Sequence, residues 1–205
     1  MVSVSQGLLS GGATHLAIIC NTAHHFLPEV LKSIPNAKFL NMVHLTLAYV
    51  EKISKSTRVG FFATKATIQT SMYQDVVKQY FDLQIVSPMD SHHGETEQNK
   101  IENVIFGAEG IKAGFDSAER NEESRQNLKV LLQIALDFAR QFELKIIILA
   151  CSELPLLLNE DTISRFANEL FPDSKDQSDL KKIKFIDPGR VVCHEVLRMT
   201  LTSRS

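Results

Sequence analysis

The run Ile146-Ile147-Ile148-Leu149-Ala150-Cys151-Ser152-Glu153-Leu154-Pro155 decides the fold of this chain. Aliphatic residues close at a thiol, and the sequence then turns polar. Such a run reads as a buried strand that delivers its sulfur to the mouth of a sheet, where α/β folds place ligands. The arrangement occurs twice. Near the amino terminus, Leu16-Ala17-Ile18-Ile19 ends at Cys20 and is followed by Asn21-Thr22-Ala23-His24.

Working outward from these two stretches, strands and helices alternate. Residues 1–14, with Gly7 and the pair Gly11-Gly12, read as a loop. After the strand 15–20, apolar positions 23, 26, 27, 30, 31 and 34 follow a helical rhythm, with Pro28 as a kink or a start. Further strands are expected at 37–42, 59–63, 83–86, 145–150 and 183–186. Helices are expected at about 45–53, within 64–81, up to about 112, over 121–142 and 162–170, and from Pro188 onward. The stretch 172–179 reads as a polar loop. This alternation predicts an α/β protein with mostly parallel sheet flanked by helices.

The 205 residues are 44% hydrophobic and 22% charged with a formal net charge of −2, so neither disorder nor general attraction to nucleic acid or anionic membrane is indicated. No apolar run reaches membrane-spanning length, and no signal peptide is evident, so a cytoplasmic protein is expected. Three cysteines without CxxC spacing disfavour a disulfide framework or a zinc cluster. His92-His93 beside Asp90 and Glu95 reads as a polar loop, because adjacent histidines diverge. A lone strand-end cysteine is ordinarily a small core residue. Cys193 is read that way, as helix packing.

Between and beyond the two cysteine stretches stand Ala63-Thr64-Lys65-Ala66-Thr67, Tyr73-Gln74, Gly110-Ile111-Lys112-Ala113-Gly114 and Ile186-Asp187-Pro188. Taken in order, these segments resemble the aspartate/glutamate racemase family, cofactor-independent enzymes that use two cysteines. The family's CNTAH motif is unaltered at Cys20 to His24. Its GC-T-E motif appears as Ala150-Cys151-Ser152-Glu153, with Ala for Gly and Ser for Thr. The resemblance covers about residues 13–200.

The resemblance implies two similar α/β lobes, 1–36 with 183–205 and then 37–182, with the site in the cleft between them. It implies Cys20 and Cys151 as the catalytic pair, and no cofactor or metal. Asn21, Thr22, Thr64, Thr67 and Ser152 become candidate donors to substrate carboxylates, and Lys112 a candidate partner of the side-chain carboxylate or a residue at a solvated helix end. The substrate implied is a small amino acid, aspartate or glutamate, and a homodimer is what the family suggests. Family members carry a further segment with a Gly-rich strand-loop ahead of the first motif, whereas 19 residues precede Cys20 here. An amino-terminally truncated chain is therefore expected, and a catalytically impaired racemase-like protein is the alternative reading.

The chemistry fits the residues. Racemisation without a cofactor needs two bases facing each other across the α-carbon. A free thiol titrates close enough to neutrality to serve after modest tuning. A helix start just after each cysteine is expected to favour thiolate. His24 is assigned an orienting role, His25 a surface position, and Glu153 a structural role on backbone N–H groups.

Overall fold

The computed structural model describes residues 1–54 and 56–202. Positions 55 and 203–205, which fall within the expected lobes, lie outside that description. The chain opens with helix α1 (Val2–Ser10), where a loop was expected. The glycine pair that suggested the loop ends this helix. Gly12 takes φ 95°, and the N–H groups of Gly11, Gly12 and Ala13 bond back to carbonyls of the last turns. Strand β1 (Leu16–Ala17), a 3-10 turn (Thr22–Phe26) and helix α2 (Leu27–Ser33) follow. Pro28 sits in the first turn of α2, so it starts the helix rather than kinking it.

Next come β2 (Phe39–Leu40), α3 (Met42–Ile53), β3 (Arg58–Ala63), α4 (Lys65–Gln69) and α5 (Met72–Tyr80). They lead to β4 (Gln84–Val86) and α6 (Gly94–Phe106). A 3-10 turn (Ile111–Ala113) precedes the long helix α7 (Glu122–Phe142). The chain closes with β5 (Ile146–Ala150), α8 (Leu154–Leu157), α9 (Glu160–Leu170), α10 (Ser174–Leu180), β6 (Lys184–Ile186) and α11 (Pro188–Thr202). Helix α10 replaces the expected polar loop. Asp173 caps it by accepting from the N–H groups of Lys175 and Asp176, so a charged, largely exposed segment still folds as a helix.

The strands form two parallel sheets, β1-β2 and β4-β3-β5-β6. Pairing runs across both expected lobe boundaries: Leu16 lies opposite Phe39, and Ile146 opposite Lys184. Strand β5 is buried at every position because helices cover both faces of the larger sheet. Ile147 and Leu149 face a core shared with Leu128, Leu131, Leu132, Ala135 and Phe138 of α7. Ile146, Ile148 and Ala150 face a second core with Leu47 and Val50 of α3 and Tyr73 of α5. Helix α7 carries the apolar stripe read from its sequence, capped by Asn121, whose side chain accepts the Ser124 N–H at 2.9 Å. Gly60 lets α7 come close to the sheet, since a Cβ there would sit 3.1 Å from Phe138 of α7, and 2.9 Å from both Ile147 and Leu144.

Candidate active site

The strand order places the site. From β3 the chain moves outward to β4 and then crosses back to β5 on the other side of β3, so the topology reverses between β3 and β5. Ligands of such sheets bind beyond the carboxyl ends of the strands at that switch. Ala63 and Ala150 are register partners at the ends of these two strands. Thr64 and Cys151 therefore emerge side by side at the mouth of the sheet.

Cys151 continues the pleat of β5 on the α7 side and is buried. Its thiol donates to Glu153 Oε2 at 3.0 Å, and the Ser152 hydroxyl donates to the same oxygen at 2.9 Å. The other oxygen, Oε1, lies 3.1 Å from Lys112 Nζ. Burial, followed by the hydrogen bond to Glu153, pushes the thiol up to about 12. Burial alone would raise the Glu153 carboxyl, but the hydrogen bonds from Cys151, Lys112 and Ser152 hold it below its usual range. This corrects two expectations. Glu153 receives the catalytic-candidate thiol itself, and Cys151 is held as S–H rather than tuned toward thiolate. The following helix, α8, has only four residues, too short to supply a useful positive end.

Cys20 stands at the opposite extreme, exposed, at the end of the segment after β1. Its loop is fixed by His24. The Met42 backbone N–H donates to Nε2 at 3.2 Å, which leaves the proton on Nδ1, and Nδ1 donates to the Cys20 carbonyl at 2.8 Å. Both ring nitrogens are thus occupied by backbone, and burial lowers the imidazole pKa and keeps it neutral. His24 orients the loop and is not a base for the adjacent thiol. His25 is exposed.

The neighbouring polar side chains knit this loop to the larger sheet. Thr22 Oγ1 lies 2.6 Å from Thr67 Oγ1, which lies 3.1 Å from Thr64 Oγ1. Thr64 also caps α4 by accepting the Thr67 N–H at 3.2 Å. The phenol of Tyr73 donates to Asn21 Oδ1 at 2.6 Å, so the Asn21 amide nitrogen points elsewhere. Tyr73 is fully buried, and burial keeps its hydroxyl protonated. The sequence assigns it no role, although Tyr73-Gln74 is among the segments that carry the family resemblance.

Lys112 is tied to Cys151 through Glu153. It sits on the 3-10 turn, not at the end of α6, with Nζ 5.1 Å from the Phe106 ring. Its pKa is raised, first by the hydrogen bond to Glu153 and then by the charge of that carboxylate. Cys193, expected to pack, is exposed on α11. Among the described residues, no group of three His, Cys, Asp or Glu side chains is placed to hold a metal ion. Two cavities of about 640 Å³ flank β6 and share Glu160, Lys184, Phe185, Asp187 and Arg190; neither is lined by a cysteine.

A sequence profile of the Asp/Glu/Hydantoin racemase family matches residues 1–195. The chain belongs to this family. Among solved structures, it is similar to the aspartate racemase of Picrophilus torridus, with a TM-score of 0.59 and 20% identity over 91% of this chain and 63% of that one. An aspartate racemase homologue from Pyrococcus horikoshii gives a TM-score of 0.64 and 17% identity, covering 97% of this chain and 71% of the other. Glutamate racemase of Francisella tularensis, solved with D-glutamate, gives 0.60 and 16% identity over 99% of this chain and 62% of that one. The family's fold is thus shared, while the chain spans about 63% of the length of the Picrophilus enzyme. No helix among the described residues is long and apolar enough to cross a membrane.

Proposed function

We propose that the chain racemises an acidic amino acid, aspartate or glutamate, by two-base proton transfer between Cys20 and Cys151 without a cofactor. The observation that carries this reading is the Glu153 carboxylate, which accepts the Cys151 thiol on one oxygen and pairs with Lys112 on the other, at the sheet mouth to which the threonine hydroxyls join the Cys20 loop. In the proposed cycle one thiolate removes the α-proton and the opposing S–H returns one from the other face. The two thiols differ in setting: Cys151 is buried and held protonated, and Cys20 is exposed. Family membership supports the reaction class, and the names of the aspartate and glutamate racemases of like fold support the substrate class.

The substrate α-carboxylate has donors in the Asn21 amide and in the hydroxyls at the sheet mouth, Thr22 and Thr64. Lys112 supplies the cation for a second carboxylate. The test is α-deuterium uptake from D₂O by each enantiomer of aspartate and glutamate, with the full chain. Exchange into both enantiomers of one amino acid is expected, with their interconversion abolished by Cys20→Ala and by Cys151→Ala. No exchange would leave a racemase-like protein without catalysis, and racemisation surviving either alanine variant would remove the two-base assignment.

A further inference from the structure

We propose that Lys112 is a substrate-responsive switch. The side-chain carboxylate of a dicarboxylic amino acid draws the ammonium away from Glu153, and the released carboxylate is then a better acceptor for the proton of the Cys151 thiol. The inference rests on the racemase reading for its substrate.

The two oxygens of Glu153 hold different kinds of partner. Oε1 takes Lys112, and Oε2 takes the thiol of Cys151 and the hydroxyl of Ser152. The Lys112 side chain is 48% exposed and that of Glu153 22%, so the ammonium is the charge in this cluster that an arriving anion meets first. Apart from Glu153, its close contact is the ring of Phe106, which leaves its flexible four-carbon stem free to turn. A substrate carboxylate competes with Glu153 like for like. Exchanging one carboxylate for another on the same ammonium conserves the ion pair, so the swap is close to neutral in energy.

The proton responds because Lys112 acts unequally on its neighbours. It touches Glu153 directly but acts on Cys151 only through space. Its departure therefore raises the proton affinity of the carboxylate more than that of the sulfur, and the gap between them narrows. Transfer along the existing 3.0 Å contact, in which the S–H bond breaks, an O–H bond forms at Oε2 and the electron pair stays on sulfur as thiolate, is eased by that narrowing. The combined charge of the Cys151–Glu153 pair does not change, and no other reactant is consumed. An amino acid with a neutral side chain leaves Lys112 on Glu153 and the transfer unassisted. Selectivity for acidic side chains then lies in turnover as well as in binding.

Two experiments test this. In the first, α-deuterium exchange of aspartate and of asparagine is compared in the wild-type chain and in Lys112→Met. The variant should lose exchange with aspartate, while exchange with asparagine rises by up to about fivefold, the span of a half-exposed ion pair. A lysine that only binds carboxylate would leave asparagine unchanged, and in a chain that exchanges aspartate the absence of a rise overturns the switch. In the second, Glu153 is followed without turnover by carboxyl-¹³C NMR of glutamate-labelled protein, its resonance assigned with Glu153→Gln. Adding succinate should move the Glu153 titration upward in the wild type. In Lys112→Met it should already be raised and no longer respond. Failure of succinate to bind, or binding without an upward move, overturns the proposal whether or not the chain racemises. A chain that exchanges no α-proton but passes the succinate test would lose the racemase reading and keep the switch.

Discussion

Replacing Glu153 by Gln keeps the size of the side chain but removes the negative charge that holds the Cys151 proton. A thiol pushed up to about 12 is ionised to about one part in ten thousand at about pH 8, against about one part in ten for an unperturbed thiol at 9.0. The full span is about a thousandfold, and burial, the larger cause, survives the substitution. Glu153 contributes a charge-assisted hydrogen bond, worth about 1.5–3 kcal/mol, or about ten- to hundredfold in thiolate population. The Glu153 backbone N–H, which favours thiolate, is retained. In a Cys20→Ser/Cys193→Ser background, where Cys151 is the remaining thiol, iodoacetamide should therefore alkylate Glu153→Gln about ten- to hundredfold faster than its parent. The same substitution should slow α-proton exchange, because the thiol loses its proton acceptor. Faster alkylation with slower exchange is the signature. Unchanged or slower alkylation would refute the argument that Glu153 restrains the sulfur.

Three further outcomes are expected. Gly60→Ala should lower stability by about 1–3 kcal/mol in urea unfolding, the range for overpacking a filled core, because its Cβ would press on Ile147 and Leu144. Tyr73→Phe leaves the buried Asn21 Oδ1 without its donor and should cost about 1–3 kcal/mol, read as a lower thermal midpoint, together with a raised KM as the Asn21 amide loses its orientation. His24 holds its proton less tightly when folded than at the ordinary 6.5, so its contribution is complete above that value and is lost as pH falls through the lower folded value. Urea midpoints taken from about pH 7.5 to about pH 5 should thus fall more steeply for wild type than for His24→Gln.

The larger sheet was legible in the sequence because its strands carry their own signal. Ile146–Ala150 and Arg58–Ala63 are apolar runs that end at polar turns, and α7 repeats its apolar residues at helical spacing. Helices α1 and α10 were not legible, because neither has an apolar stripe of that length. One ends in glycines that also signal a loop, and the other is charged and depends on the cap of Asp173. The same division holds at the site. Cys20, Cys151 and the threonines could be named from motif positions, and those positions do lie at one end of the fold. That Cys151 is protonated, and that Glu153 serves the thiol rather than the backbone, depends on burial and on which oxygen faces which neighbour. Spacing along the chain does not encode either. Tyr73 went unassigned because an aromatic residue on a helix reads first as core, and here it is both core and hydrogen-bond donor.

The three threonine hydroxyls joining the Cys20 loop to the sheet mouth have a countable number of hydrogens. Thr67 stands in the middle and has one to give. If it points to Thr64, then Thr22 points to Thr67 and the hydroxyl hydrogen of Thr64 is left over, beside Cys151. If the row runs the other way, the spare hydrogen belongs to Thr22, two residues from Cys20. The row is a reversible wire with two polarities that are near mirror images of each other. Under the proposed function, the site can match its polarity to either hand of the substrate by three hydroxyl rotations, without moving a backbone atom.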